Sequence, residues 1–211
     1  MFGAAGPMAR SAADLDLMLD VLAEPRAGPR SVDRVAVFEE RPPRAADLRA
    51  AFDVIVAHEL VPAIGRVTAG REDELTPYAA QLAEASRDFT PSFDAYLAAF
   101  AQIAEIDAEA TRWFERCPVA LCPVAPDVAP PLGVFAFPPV DGQPLRPGGK
   151  LSLCSYANAL GLPALALPVM RSSAGLPAGV QVFARRGEER TLTALARRLE
   201  PVLGGWIDPD G

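Results

Sequence analysis

The sequence predicts an α/β fold, rich in helix, on three observations. The stretch from Leu151 to Ala184 reads as a helix, a tight Gly-Leu-Pro corner and two strands joined by a hairpin. Within it, Ala164 to Val169 is continuously apolar, as expected of a strand in the middle of a sheet and covered on both faces, and Pro168 places its end at a margin or bulge. Around that unit lie several segments with apolar residues at helical spacing.

Taken in order, Ser11-Ala-Ala-Asp14 has the form of a capping box, and Leu15, Met18, Leu19 and Leu22 follow as one buried helical stripe. Pro25, Gly28 and Pro29 end that helix, and Arg34 to Phe38 reads as a short strand. No second strand follows before Ala45 to Val67, an amphipathic helix marked by Leu48, Phe52, Ile55, Val56 and Leu60, which Pro62 is expected to end or kink. Arg71 to Asp88 reads as a charged helix or linker whose acidic run Glu72-Asp-Glu74 is solvated. Thr90 as cap and Pro91 in the first turn then open the longest helix, with Phe93, Tyr96, Leu97, Phe100, Ile103 and Ala104 as its stripe and an end near Trp113-Phe114. Residues 44–115 are thus a helical segment. Val119 to Cys122 is a buried strand, and 123–150 is a proline-dense loop of the kind that lies over a surface. A last helix, Glu188 to Leu203, turns Leu192, Leu195, Ala196 and Leu199 toward the sheet and stops at Gly204-Gly205. Arg185-Arg186 and Arg197-Arg198 suit a strand end and a helix C-terminus. No linker divides residues 1–211, which read as a single domain.

Half of the 211 residues are apolar, which places the chain in the globular class. A net charge of −7 without a Lys/Arg cluster argues against nucleic acid or an anionic membrane as partner, because both need a concentrated positive field. No apolar run approaches the roughly 20 residues a spanning helix needs, and the start lacks a basic leader, so a cytoplasmic location is expected. Cys117, Cys122 and Cys154 lack metal spacing, and His58 is the one histidine, so no metal site is expected. His58 could act as a general base near neutral pH, but a lone histidine beside Glu59 reads first as a packed or exposed helix residue. Ser172 and Ser173 read as residues of the hairpin turn.

Three motifs carry a resemblance. Near the start stands Gly6-Pro7-Met8-Ala9-Arg10-Ser11, followed by Asp14-Leu15. In the middle, Leu121-Cys122-Pro123-Val124 is entered from Trp113-Phe114-Glu115. Near the end come Asn158-Ala-Leu-Gly161-Leu-Pro163-Ala164 and Gly175-Leu-Pro177-Ala-Gly179-Val-Gln181. In this order they resemble the C-terminal portion of the amidase signature family. The resemblance implies a partial amidase-signature fold, a mixed sheet flanked by helices, and amide (carbon–nitrogen) hydrolysis as the family's chemistry, without metal or organic cofactor. It also implies that the family's serine nucleophile, second serine and lysine belong to a part that precedes this chain. The sole lysine, Lys150, stands in a Pro147-Gly-Gly-Lys turn, and no Gly-Gly-Ser loop occurs. Among these residues the resemblance offers no catalytic side chain. It offers Cys122, Pro123, Val124 and Asn158 as substrate-rim candidates, with a thiol and an isopropyl group where the family has two threonine hydroxyls, so a polar-substrate role is weakened.

Three functions follow as expectations. The chain is the C-terminal portion of an amidase and inactive alone, because a serine without its base and an oxyanion without its donors give no rate enhancement. Alternatively, it is one subunit of a split amidase that pairs with a separately encoded N-terminal half or associates with itself through an exposed sheet edge. The third is an amidase-derived binding protein.

Overall fold

The structure, a computed structural model, describes residues 6–23, 28–37, 42–77, 79–80, 84, 91–134 and 152–204. In chain order these form α1 (Ala12–Leu22), β1 (Val35–Val37), α2 (Ala45–Thr68), a 3-10 turn (Glu72–Glu74), α3 (Phe93–Arg116), β2 (Val119–Pro123), α4 (Ser152–Leu160), β3 (Ala164–Arg171), β4 (Pro177–Ala184) and α5 (Glu189–Leu203). The strands make one mixed sheet in the order β1-β2-β4-β3, with β1 parallel to β2 and the other neighbours antiparallel.

Alternation along the central strands builds a core on each face of that sheet. On one face Ala120, Cys122 and Phe183 pack with Leu48, Ile55, Ile103, Ile106, Phe114, Tyr156 and Leu160 of α2, α3 and α4. On the other, Val119, Val182 and Ala184 pack with Ala12 of α1 and Leu192, Leu195 and Ala196 of α5. This double cover is why β2 and β4 read as apolar runs rather than as alternating ones. Phe183, fully buried on the central strand β4, meets the rings of Phe114 at 6.1 Å and Tyr156 at 6.2 Å and so joins sheet, α3 and α4.

The mixed sheet flanked by helices agrees with the fold expected, and several details differ. Among the described residues β3 is an edge strand. Leu165, Leu167 and Val169 pack against the α5 layer, while Ala164, Ala166 and Pro168 are exposed. The unbroken apolar run therefore does not mark a strand covered on both faces; small residues on an edge produce the same pattern. The bulge at Pro168 is present, as a register shift between Pro168 and Met170. α2 runs through Pro62 without ending. The helical stripe of α3 is shifted in phase. Ala99, Ile103, Ile106, Ala110 and Phe114 are buried, while Phe93, Leu97 and Ala104 are exposed. Ser92 caps this helix, its Oγ accepting from the Ala95 N–H at 3.2 Å, because Ser92 stands immediately before the first turn. The expected cap Thr90 lies outside the described residues, as do 135–150 of the proline-dense loop and Lys150.

Three of these four arginines form side-chain bridges, and neither Arg197 nor Arg198 falls in the last turn of α5. Arg185 pairs with Glu188 at 3.2 Å, Arg186 with Asp107 at 2.7 Å and Arg197 with Asp16 at 3.1 Å. Each carboxylate lies within reach of a long cationic side chain, and direct pairing satisfies both groups more fully than a helix end could.

Polar contacts join the apolar ones along the seam between α1 and α5. Asp16 meets Arg197, Arg190 and the Thr193 hydroxyl, and Asp20 meets Arg190. At the start of α1, Ser11 forms the side-chain half of the expected capping box. Ser11 Oγ accepts from the Asp14 N–H at 3.1 Å, and the Ala12 N–H donates to Glu200 Oε1 at 2.8 Å. Glu200→Ala removes an acceptor from an orphan helix amide and is expected to lower stability by about 1 kcal/mol in urea unfolding. An unchanged midpoint would mean that the amide finds another acceptor.

Candidate functional site

The rim candidates sit where β2 leaves the sheet. Cys122 and Pro123 are the last two residues of β2 and pair with Gln181 and Val180 of β4. The pairing continues one residue further, because the Val124 N–H donates to the Gly179 carbonyl at 3.2 Å. Space at Gly179 is tight. A Cβ on it would lie 3.1 Å from the Leu167 carbonyl oxygen and 3.6 Å from Val124 Cγ2.

Alternation turns the Cys122 side chain to the helical face of the sheet, where it is 1% exposed. The Gln181 amide Nε2 points to its sulfur at 3.7 Å. The Cys154 thiol, in the first turn of α4, donates to the Val124 carbonyl at 3.5 Å and so fastens α4 to the segment leaving β2. Asn158 stands four residues beyond Cys154 and therefore on the same side of α4, but exposed. Its carbonyl accepts from the Gly161 N–H at 3.2 Å, in a corner that needs the positive φ of 60° at Gly161. The structure thus gathers Cys122, Pro123 and Val124 with Cys154, Gln181 and Gly179, and leaves Asn158 at the surface one turn away. Cys154 and Gln181 were not singled out as site residues in the sequence. The available signal was Gln181 as the one polar residue within Val180-Gln-Val-Phe-Ala184.

Burial, then the neighbouring Cys154, pushes the Cys122 thiol up to about 12 against a smaller opposing effect of the Gln181 hydrogen bond, and burial also raises Cys154. Both therefore stay protonated near neutral pH and are weak nucleophiles. What this corner supplies is shape, one thiol hydrogen bond and fixed backbone.

The other polar candidates are held structurally. His58 stacks on Tyr96 with ring centroids 4.4 Å apart, and the Tyr96 hydroxyl donates to Glu59 at 3.0 Å. Ser172 Oγ accepts from the Leu176 N–H at 3.2 Å and the Ser172 carbonyl from the Gly175 N–H at 2.9 Å, which makes it a turn residue. Among the described residues no group of three His, Cys, Asp or Glu side chains could hold a metal ion, and no helix is long and apolar enough to cross a membrane.

The structure is a mixed sheet between two helical layers, with the β2 end tied to α4, and comparison with known proteins identifies its family. The amidase family model matches residues 66–193. The chain belongs to the amidase signature family. A glutamyl-tRNA(Gln) amidotransferase subunit of Wolinella succinogenes is 36% identical over 91 residues, covering 43% of this chain and 19% of that protein. Fatty-acid amide hydrolase 2-A of Danio rerio is 44% identical over 83 residues, covering 36% and 16%. Among solved structures, an amidase superposes with a TM-score of 0.73 at 22% identity over 94% of this chain and 52% of its own, and a 6-aminohexanoate cyclic dimer hydrolase with 0.62 at 22% identity over 92% and 54%. At such identity these two establish the fold alone. The chain spans about half the length of those structures, and its alignments cover about a fifth or less of the curated relatives.

Proposed function

We propose that residues 1–211 are a single unit, the C-terminal portion of an amidase-signature carbon–nitrogen hydrolase, which does not hydrolyse amides without the rest of that fold. The reading is carried by coverage. Almost the whole chain aligns with solved amidases, yet it accounts for only 52% of the matched amidase. It is supported by the protonated Cys122 and Cys154, by a histidine engaged with Tyr96, and by a sequence with one lysine and no Gly-Gly-Ser loop. In this reading Pro123, Val124 and exposed Asn158 shape one wall of the substrate rim, and buried Cys122 holds the strand beneath them. The rim acts by shape and backbone polarity. Three free thiols suit a cytoplasmic protein.

The test is hydrolysis of simple amides and p-nitroanilides by the purified chain. The expected rate equals that of a heat-killed control. Turnover abolished by a single Ser, Cys or His substitution would sink the reading.

A second reading, in which an amidase half supplied separately completes this chain, is favoured by β3. This eight-residue strand forms one end of the sheet order, with Ala164, Ala166 and Pro168 exposed on one face. Amide hydrogen exchange along β3 that is fast in the lone chain and slowed on adding that half would support it.

A further inference from the structure

α3 carries two apolar rows. One, from Ala99 through Ile103, Ile106 and Ala110 to Phe114, is buried against α2, α4 and the sheet. The other, Phe93, Leu97, Phe100, Ala101, Ala104 and Ala108, repeats at helical spacing about a third of a turn round the same helix. Of this second row only Phe100 is half-buried, and the rest is exposed, Phe93 at 61% and Leu97 at 51%. Phe93 is nevertheless held in place, its ring 6.1 Å from that of Tyr96 and 6.3 Å from that of His58. An exposed ring that is ordered in advance loses little conformational freedom when a partner covers it.

We infer that this row is a self-association surface, on which the α3 helix of a second copy of the protein packs antiparallel about a two-fold axis. The order of sizes along the row selects that partner. Its first half is bulky, Phe93, Leu97 and Phe100, and its second half is small, Ala101, Ala104 and Ala108. With the axis between positions 100 and 101, Phe93 meets the partner's Ala108, Leu97 the partner's Ala104 and Phe100 the partner's Ala101. Each large side chain falls on an alanine, and the contact is the same from either copy, as two-fold symmetry requires. Sliding the helices by one turn sets Leu97 against the partner's Phe100, or Phe93 against the partner's Arg112, so one register is favoured. Phe93 to Ala108 spans about 24 Å of helix, a contact at the small end for specific interfaces, and the dimer is therefore reversible. Exposed Asp94 and Glu105 border the row and each copy carries a net charge of −7, so added salt screens a repulsion and strengthens the association.

The test is sedimentation equilibrium of the full protein over concentrations on the order of 1 to 100 μM, at low and high salt. The expected result is a monomer–dimer equilibrium that shifts toward dimer as salt rises. Leu97→Glu with Ala104→Glu, both at exposed positions, should weaken the dimer by ~10-fold or more while leaving the far-ultraviolet spectrum unchanged. Register is read by cross-linking with a short bismaleimide, over the background of the unsubstituted protein. Ala101→Cys places its thiol beside its own mate across the axis and should link two copies. Ala108→Cys stands about 22 Å along the helix from its mate and should not. A protein that stays monomeric over the whole range overturns the inference, whatever else of the chain or of an amidase fold covers the row. A dimer that survives the double glutamate variant, or that Ala108→Cys links as readily as Ala101→Cys, overturns it as well.

Discussion

Replacing Phe183 by alanine is expected to cost about 3–5 kcal/mol, the range for truncating a fully buried aromatic side chain. Phe183 is 0% exposed, stands on a central strand, and touches Phe114 of α3 and Tyr156 of α4. Truncation removes both ring contacts and opens a cavity that neither helix can close independently, since α3 and α4 are also fixed to α2 by Leu48, Ile55 and Ile106. Phe183→Leu keeps much of the volume and is expected to cost roughly half as much. Urea unfolding of the two variants, followed by tryptophan fluorescence, measures both. A loss below about 1 kcal/mol for the alanine would show that the two helices relax into the space, contrary to a core packed at crystal-like density.

The second large effect is on alkaline stability. An ordinary thiol ionises near 9.0, whereas Cys122 in the fold is raised to about 12 by burial and by Cys154. Between these values the unfolded chain releases a proton that the native chain keeps, so each increment of pH favours unfolding. The stabilisation is fully present below 9.0 and is lost as pH rises toward about 12, amounting to at most about 4 kcal/mol. Cys154 and Tyr156 are raised by burial as well and act with the same sign. Unfolding free energy measured from pH 8 to 11 should therefore be level at first and then fall. Cys122→Ala should make the fall shallower, at the cost of the Gln181 contact at all pH values. If the slope of Cys122→Ala matches that of the unsubstituted protein, the thiol is not shielded as the geometry requires. The same shielding bears on function. A corner whose thiols stay protonated contributes form to a substrate wall rather than a nucleophile.

The sequence by itself determined the elements and the family. Ser11 and Asp14 mark a cap through local hydrogen bonding, Gly204 ends α5 with a φ of 88°, and Val119 to Cys122 reads as a buried strand, which the structure extends to Pro123. These signals act over a few residues, so they survive without knowledge of the rest of the fold. The motif Leu121-Cys122-Pro123-Val124 likewise marked the β2 end, although it did not reveal that Cys154 and Gln181 close around it; that meeting depends on a strand register spanning 59 residues of chain. Whether the run Ala164 to Val169 lay in the centre or on the edge of the sheet depended on strand order, because small apolar residues fit either place. Only the tertiary structure decided which way α1 faces. Its stripe of Leu15, Met18, Leu19 and Leu22 predicts a buried apolar side, but only Leu15 and Leu19 are half-buried, Met18 and Leu22 are exposed, and Asp16 and Asp20 meet three cationic or hydroxyl side chains of α5 that lie about 170 to 181 positions away in sequence. A pairing at that separation leaves no periodic trace in α1 itself.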